Sequence, residues 1–397
     1  MEGNREQIAR SRAHVVHVTT AHPATDNRIL YKECSALAGA GFQVSLIART
    51  DHDFTTNDVE VHAIPTVPGR LKRMIIAPVI AWRKLRSQNP SLVHLHDPEL
   101  IPFGLLWRAL HRTPVIYDAH EDLELQIRNK PYIPSWAKKP ASVFGKYIQA
   151  VAGLGMNGVV VAIPDFVDKY RRSLVATVQN YPWLRAYEEP VDAPDNRTFA
   201  YVGAVSRIRG VSEMCKAVAI SRSGARLVVA GPGQNEDSLA TLDAESRVKY
   251  LGRVDPTKVP RVIADSIAGL VVLHPTKNHL ESRPTKLFEY MAAGRPFIAS
   301  DFPYWRRLVG EDCGIFVDPN EPAEIAQAMD WLIENPSEAR AMGRRGRQRF
   351  ETEFTFEVEA ASLIKMVDTL LGTKPSSNVA CSGKGEKTMV ERTERNG

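Results

Sequence analysis

Short apolar runs alternate with amphipathic segments along most of the chain. The run at residues 14–18 contains three valines and the one at 44–48 has four apolar residues of five, and such short runs are typical of buried strands. Between them, residues 28–40 carry apolar side chains at helical spacing and stop before Gly41. Further apolar runs lie at 92–95, 114–117 and 158–162. Strands that alternate with helices predict parallel βαβ units.

The same alternation starts again after an interruption. Residues 178–198 are rich in Pro, Asp and Glu, which indicates a linker. Apolar runs then return at 198–202, 226–230, 248–251, 268–273 and 297–301. We therefore predict an α/β protein with two Rossmann-like, doubly wound domains facing a cleft. The predicted boundaries are 1–190 for the first domain with its linker from about 178, 191–350 for the second, 351–372 for a last helix and 373–397 for a disordered tail.

Two glutamates, Glu281 and Glu289, flank the start of a predicted helix. The helix begins near Pro284 and ends at Gly294, in keeping with the preference for Pro in the first turn and Gly just past the end. A helix N-terminus has unpaired N–H groups and suits a diphosphate. Because Pro284 has no N–H, the predicted donors are Thr285 and Lys286. Carboxylates nearby can accept hydrogen bonds from sugar hydroxyls, so this segment predicts a nucleotide-sugar site.

The segment resembles the group 1 glycosyltransferases of family 4, which are retaining enzymes with the GT-B fold. Their pattern is a glutamate, seven residues and a second glutamate before Met-Ala-x-Gly-x-Pro, here residues 291–296. The resemblance implies that Glu281 orients the donor sugar and Glu289 the ribose, with Ser282 and Arg283 in the same donor loop. It also implies that the last helix crosses back to the first domain. The alternative is that both glutamates lie on the surface without a ligand.

The turn after the first strand of the second domain is predicted to hold the diphosphate. Arg209-Gly210 occupies the position of the Lys-Gly pair in similar proteins, whereas Ala204 stands where an arginine is usual. Arg207 is the predicted replacement for that charge. Cations are needed here because the departing nucleotide becomes more negative as the sugar–phosphate bond breaks. The resemblance further places the backbone at Gly252 against the base.

Residues of the first domain receive roles mainly by resemblance. His96 and His120 each follow a predicted strand and are assigned to the donor sugar, although either is equally compatible with an ordinary loop histidine. Asp26, Arg28 and Lys32 follow the first strand, where many similar proteins have a Gly-Gly turn, and are assigned to the acceptor side.

We expect no metal and no cofactor. The pair Asp51 and Asp53 has the Asp-x-Asp pattern of metal-dependent glycosyltransferases of another fold, but its position past a strand here does not fit that role. A UDP-sugar is favoured over a GDP-sugar as the donor substrate.

The net positive charge of the chain lies in its first half. Residues 1–190 carry 23 basic and 18 acidic side chains, whereas 191–397 carry 28 of each. Two stretches without Asp or Glu, 61–96 and 125–164, combine basic residues with apolar and aromatic ones. Such a surface favours an anionic membrane, and an ordinary core helix is the alternative. No nucleic-acid motif was found. The four scattered cysteines and the polar N-terminus indicate a cytoplasmic protein, here peripheral on the inner face of the membrane.

The sequence therefore predicts a hexosyltransferase-type enzyme that moves a sugar from a nucleoside diphosphate to a hydroxyl with retention. The predicted acceptor is a saccharide or lipid-linked saccharide in polysaccharide or glycolipid biosynthesis. Two alternatives remain: a nucleotide-sugar epimerase of the same fold, which needs no acceptor, and a sugar-nucleotide-binding protein without catalysis. The departures at Ala204 and in the loop after the first strand are consistent with the second alternative.

Overall fold

The computed structural model describes residues 13–119, 134–170, 173–190, 197–233 and 245–373, with the single positions 123, 127, 240 and 242 between them. The chain divides into two compact units. Unit 1 comprises Met1–Asn180 and Phe356–Gly397, and unit 2 comprises Tyr181–Thr355. The boundary falls before the predicted residue 190 because the ring of Tyr181 packs edge-on against Phe288 of unit 2, 4.7 Å between centroids.

Unit 1 is built on an eight-stranded sheet with the order β3-β4-β2-β1-β5-β6-β7-β8. All described strand pairs are parallel except β3 with β4. The central strands are wholly buried, as their continuous apolar runs predict. The strands are β1 His14–Pro23, β2 Gln43–Arg49, β3 Phe54–Thr56, β4 Val59–Ile64, β5 Leu92–Leu95, β6 Val115–Ala119, β7 Gly158–Val161 and β8 Leu174–Thr177.

Helices cover both faces of this sheet. Between β1 and β2 a π-helical segment, Ile29–Cys34, runs into the short helix α1, Ser35–Gly39. The longer helices are α2 Arg70–Gln88, α3 Ile101–His111 and α4 Ser135–Gly155. Helix α12, Phe356–Leu371, also belongs to unit 1, and its Glu359 accepts a hydrogen bond from the backbone N–H of Gln179 at 2.9 Å.

Unit 2 has a fully parallel six-stranded sheet with the order β11-β10-β9-β12-β13-β14. Numbered within the unit, this is the 3-2-1-4-5-6 order of dinucleotide-binding folds, and the direction of winding reverses between β9 and β12. The strands are β9 Thr198–Val202, β10 Arg226–Ala230, β11 Val248–Tyr250, β12 Ala268–Val271, β13 Phe297–Ser300 and β14 Gly314–Val317.

The helices of unit 2 pack on this sheet through buried apolar faces. Tyr290 is fully buried, and its hydroxyl donates to the carbonyl of Leu270 at 3.2 Å, which fixes its helix over β12. The helices are α5 Val211–Ile220, α6 Val259–Ala264, α7 Lys277–Leu280, α8 Thr285–Ala292, α9 Pro303–Val309, α10 Pro322–Glu334 and α11 Pro336–Glu353. Because α11 extends to Glu353, the last helix begins at Phe356 and not at the predicted residue 351.

In the part of the chain that the structure describes, no helix is long and apolar enough to cross a membrane. The predicted disordered tail lies almost entirely outside the described residues.

Candidate functional site

Two loops of unit 2 meet where its strand order reverses. One follows β9 and carries Arg207 and Arg209, and the other follows β12 and carries Glu281. Strands β9 and β12 are hydrogen-bonded neighbours, so their carboxyl ends lie side by side. In open parallel sheets, ligands bind beyond the carboxyl ends of strands at this kind of reversal. The topology therefore brings together the two segments on which the predicted donor site depends.

The two loops are fixed to each other by direct contacts. The backbone N–H of His274 donates to the carbonyl of Ile208 at 3.0 Å. Gly210 has a φ of +69°, and a β-carbon there would lie 2.0 Å from the carbonyl oxygen of Val272. Only glycine permits both the left-handed backbone and this close approach. Gly210 thus allows the arginine turn to pack against the end of β12.

The two arginines of this turn differ in their surroundings. Arg207 is exposed, whereas Arg209 is half-buried near the hydroxyl of Tyr201. That hydroxyl donates to the carbonyl of Ala204 at 2.7 Å. Burial raises the pKa of Tyr201, and nearby Arg209 lowers it. The effect of burial is the larger one, and the pKa is about 12. The tyrosine therefore stays neutral at ordinary pH, and the guanidinium of Arg209 keeps its positive charge available to an anion.

A short helix that the sequence analysis did not predict precedes Glu281. Helix α7 occupies part of the expected polar loop, and Glu281 is its first residue past the end. The hydroxyl of Ser282 donates to the carbonyl of His279 at 2.8 Å, and the indole N–H of Trp305 donates to the carbonyl of Ser282, also at 2.8 Å. The backbone around Glu281 is thus held by hydrogen bonds while its side chain is exposed. Ser282, a predicted donor residue, supports this turn.

Arg283 is directed toward aromatic residues of unit 2. Its Nε donates to the hydroxyl of Tyr304 at 2.6 Å. Burial by itself lowers the pKa of Arg283, but Tyr181 and Tyr304 outweigh it and the pKa is raised. The structure therefore gives Arg283 a partner within the protein, and its predicted contact with the donor stays a prediction.

Helix α8 begins at Thr285, at the predicted diphosphate site. Its N-cap is Pro284, and no side chain in the described part of the chain caps it. Lys286 Nζ lies 2.9 Å from Glu289 Oε2 on the first turns of the helix. Both side chains are partly exposed. Glu289 is thus held by a neighbouring lysine, a pairing that a ribose hydroxyl or a phosphate could replace.

Glycines line the edge of the sheet beside the arginine turn. Gly231 has a φ of +148°, and a β-carbon on it would lie 1.8 Å from the carbonyl oxygen of Gly203. The N–H of Gly231 donates to the carbonyl of Gly252 at 2.7 Å. A β-carbon on Gly252 would meet no atom within 4 Å, so the space beside it is open. This open edge is where the sequence analysis expected the base.

Of the two predicted histidines of unit 1, the structure describes only His96, and it is buried. His96 is 1% exposed, and its Nε2 lies 2.9 Å from Nδ1 of His17. Its Nδ1 lies 3.2 Å from the carboxylate of Asp118. The structure thus places His96 inside a polar cluster of unit 1 and not on an accessible surface. His120, the other predicted histidine, lies outside the described residues.

The three residues assigned to the acceptor side are also held internally. Asp26 Oδ1 accepts the backbone N–H groups of Arg28 and Ile29 and so caps the π-helical segment. Arg28 is buried, with Nη2 at 3.0 Å from Asp118 Oδ1. Lys32 is buried, and its Nζ donates to the carbonyl of Asn180 at 3.0 Å.

Both cations are thus bound within unit 1, and the assignment of Arg28 and Lys32 to the acceptor side stays a prediction. Helical spacing alone does not show that a charged residue has a buried partner far along the chain.

Asp53, of the Asp-x-Asp pair, has a local structural role. Its Oδ1 accepts the backbone N–H of Ala63 at 2.6 Å beside the hairpin of β3 and β4. This hydrogen bond lowers the pKa of Asp53. The carboxylate is thus engaged at the edge of the sheet in unit 1.

The sequence analysis missed most of the polar cluster around His96. His17, Glu33, His94 and Asp118 are all buried beside it. A signal for it exists, because His94 and His96 are two residues apart across the end of β5 and side chains at that spacing share a face. The parallel pairing of β1 with β5 then sets His17 opposite His94.

Two family models match this chain. The model for "Glycosyl transferases group 1" matches residues 187–349, and that for "Glycosyl transferase 4-like domain" matches residues 27–180. Together they match most of both units.

Three curated proteins are similar in sequence. A D-rhamnosyltransferase, WbpZ of Pseudomonas aeruginosa, is 30% identical over 40% of this chain and 42% of its own, so less than half of it is matched. A glycogen synthase of Mycobacterium tuberculosis is 24% identical over 81% of this chain and 79% of its own. A phosphatidyl-myo-inositol mannosyltransferase of Mycolicibacterium smegmatis is 22% identical over 89% and 92%.

Solved structures share the fold. Sucrose-phosphate synthase of Thermosynechococcus elongatus has a TM-score of 0.71 at 18% identity and covers 91% of this chain and all of its own. HepE of Anabaena in complex with UDP has a TM-score of 0.64 at 14% identity and covers 90% of this chain and all of its own. The predicted fold class and the resemblance are confirmed. The chain belongs to the group 1 glycosyltransferases of family 4, has the GT-B fold, and is a glycosyltransferase that uses a nucleotide-sugar donor.

Proposed function

We propose that this enzyme transfers a hexose-type sugar from a UDP-sugar to a hydroxyl of a membrane-anchored saccharide lipid, with retention at the anomeric carbon. The observation that carries the donor part is the junction in unit 2 where the arginine turn and the glutamate loop are hydrogen-bonded to each other. This junction combines two arginines, an uncapped helix N-terminus, the exposed carboxylate of Glu281 and the carboxylate of Glu289, which is paired with Lys286. A nucleoside diphosphate sugar has a complementary partner for each of these groups.

The diphosphate is assigned to Arg209, Arg207 and the first amides of α8. Arg209 and the open N-terminus of α8 supply positive charge from two different strand ends. The guanidinium can bind two phosphate oxygens at once. Because both groups are fixed before the reaction, they can stabilise the charge that develops on the leaving nucleotide with little reorganisation.

Retention is proposed because the family resemblance implies it. In the proposed step, the bond between the anomeric carbon and the phosphate oxygen breaks while the acceptor oxygen bonds to that carbon from the same face. The acceptor proton passes to an oxygen of the departing phosphate. Glu281 would accept hydrogen bonds from hydroxyls of the donor sugar and so orient the sugar. It would not form a covalent intermediate with it. His96 has no part in this step, because it is buried in unit 1.

Among possible donors, a UDP-sugar is favoured over a GDP-sugar. The structure of HepE in complex with UDP-glucose has the same fold as this chain, with a TM-score of 0.65 between the two. A mannosyltransferase of Corynebacterium glutamicum, 25% identical over 45% of this chain and 47% of its own, is described as GDP-mannose-dependent. The identity of the base can therefore be tested directly by comparing the binding of UDP with that of GDP.

A lipid acceptor is supported by the surface of unit 1. Helix α4 exposes a stripe of large apolar side chains, of which Trp136 is 82% and Phe144 63% exposed. Helix α2 adds Ile75, which is 69% exposed. Helix α3 packs against α2 through Trp82 and Trp107, so exposed apolar groups occur on three adjoining helices. Large exposed apolar patches on soluble proteins mark interaction surfaces.

Basic residues accompany these apolar side chains. Lys139 and Lys146 lie exposed on α4, and Arg83 and Arg86 lie exposed on α2. Basic residues near an anionic membrane contribute about 1 kcal/mol each. We therefore propose that unit 1 attaches the enzyme to the inner, cytoplasmic face of a membrane as a peripheral protein.

Incubation of the purified protein with a panel of UDP- and GDP-sugars tests the proposed function. We expect UDP and one UDP-sugar to raise the Tm, and nucleoside diphosphate to be released only when a lipid-linked saccharide is added. The anomeric configuration of the product, read by NMR coupling constants, should match that of the donor.

The alternatives give different results in the same assay. A new epimer formed from the donor without an acceptor would support an epimerase, whereas a higher Tm without turnover across the acceptor panel would support a non-catalytic binding protein. If no nucleotide or nucleotide sugar raised the Tm, the proposed donor site would be wrong.

A further inference from the structure

The polar cluster of unit 1 contains buried groups that the proposed reaction does not use. Its members are His17 on β1, His94 and His96 at the end of β5, and Glu33 on the π-helical segment. Each can offer one ligand atom, and these four atoms lie within 4.8 Å of one another. All four side chains are essentially inaccessible to solvent.

Several polar atoms of this cluster have no hydrogen-bond partner. They are Nε2 of His17, both ring nitrogens of His94 and Oε2 of Glu33, whose other oxygen, Oε1, is paired with Nε of Arg28 at 3.0 Å. The nearest ring nitrogen to Glu33 is Nε2 of His94, at 3.9 Å, beyond hydrogen-bond distance. Buried polar groups in folded proteins are nearly always satisfied, and each one that is not costs about 1–3 kcal/mol. Four such atoms in one place favour a ligand at this position.

We propose that His17, Glu33, His94 and His96 bind one divalent transition-metal ion, with Zn²⁺ as the best match. Imidazole nitrogens and a carboxylate are suitable zinc ligands, and four protein ligands without access for water are typical of a structural site. A tetrahedral zinc ion at about 2.0–2.1 Å from each ligand requires ligand atoms about 3.3–3.4 Å apart. Small side-chain rotations would bring the four groups to that spacing.

The surroundings match those of a metal site as well. Nδ1 of His96 lies 3.2 Å from Asp118, and a carboxylate that accepts from the far nitrogen of a ligand histidine commonly orients it. Asp118 is held in turn by Arg28 at 3.0 and 3.2 Å. Glu33 lies on a π-helical segment, a distortion that is frequent at functional sites.

Burial shifts the pKa values of the cluster in both directions, downward for His17 and His94 and upward for Glu33. Metal binding would replace the hydrogen bond between His17 and His96 without loss of a proton, because a neutral imidazole binds through its lone pair. Glu33 would bind as the carboxylate and release the carboxyl proton. The ion would join β1, β5 and the segment between β1 and β2, which gives it a structural function distinct from catalysis.

Metal content of the tag-free full-length protein, purified without chelator, tests this proposal. We expect about one zinc per chain by plasma mass spectrometry in the wild type. Removal with a strong chelator should lower the Tm, and added Zn²⁺ should restore it. Replacement by Co²⁺ should give visible absorption bands of the intensity that tetrahedral cobalt shows.

Two histidines of the same strand provide a matched pair of variants. His17→Gln should lose most of the metal, whereas His14→Gln should keep it, because buried His14 bonds instead to Ser45 and to the carbonyl of Gln88. Wild-type protein with less than about a tenth of an equivalent of metal, and no cobalt spectrum, would overturn the proposal. That test does not depend on whether a variant folds. Equal loss of metal from both variants would also contradict it.

Discussion

The two units carry polar groups at the ends of similar parallel strands, but they use them in opposite ways. In unit 1, His96 and Arg28 are buried and bound to Asp118, so the charges are satisfied inside the unit. In unit 2, Arg207 and Glu281 are exposed on loops that are themselves fixed by hydrogen bonds. A polar residue at a strand end therefore does not by itself indicate a site for the donor substrate. What distinguishes a candidate substrate site is a fixed backbone with an accessible side chain.

Removing a buried charge from unit 1 should produce the largest effect. Arg28→Met leaves Asp118 and Glu33 buried without their guanidinium, and breaking a buried ion pair costs about 3–5 kcal/mol. We expect a large fall in the Tm by calorimetry. The exposed control Arg83→Met should change stability by no more than about 0.5 kcal/mol. Loss of activity with an unchanged Tm would instead support contact between Arg28 and the acceptor.

Replacing the exposed Glu281 of unit 2 should lower activity and leave stability unchanged, the opposite of what is expected for Arg28. Glu281→Ala is expected to lower turnover by about 10²–10³, the usual cost of losing a fixed polar group at a reacting centre. The Tm should stay unchanged because the side chain is exposed. Glu311→Ala, which removes another exposed glutamate of unit 2, is the control. Near-normal turnover in the Glu281 variant would contradict its assignment.

Arg209 tests the diphosphate part of the site. Arg209→Ala should lower kcat/KM by about 10², since it removes a fixed charge from the leaving group. Weaker binding of the free nucleoside diphosphate should accompany this loss. Arg344→Ala, at an exposed position of α11, provides the control. Equal effects on both variants would show a general response to charge and no specific contact.

The smallest effect is expected at the apolar surface of unit 1. Phe144→Ser should weaken binding to anionic vesicles about tenfold, because burying such a side chain contributes about 1.5–3 kcal/mol. Flotation with phosphatidylglycerol-rich and phosphatidylcholine vesicles measures this, and only the anionic vesicles should show strong salt dependence. Ile220→Ser, at an exposed site of unit 2, should bind as the wild type does. Unchanged flotation of the Phe144 variant would argue against this surface.

The sequence predicted the features of the fold and the site that depend on local pattern. The helix expected from Pro284 to Gly294 is Thr285–Ala292 in the structure, because Pro and Gly mark helix ends locally. Helix α7 was missed because four residues are too few to show a helical period. The burial of Arg28 could not be predicted, since it depends on Asp118, 90 positions away. The same applies to the histidine cluster, whose members meet only through the pairing of β1 with β5.

A crystal structure of the protein with its nucleoside diphosphate bound is the most direct test of the central claim, that the arginine turn and the start of α8 together hold the donor. The account predicts phosphate oxygens within hydrogen-bond distance of the Arg209 guanidinium and of the backbone amides at Thr285 or Lys286. A diphosphate bound elsewhere, with Arg209 and the start of α8 making no contact to it, would contradict the account.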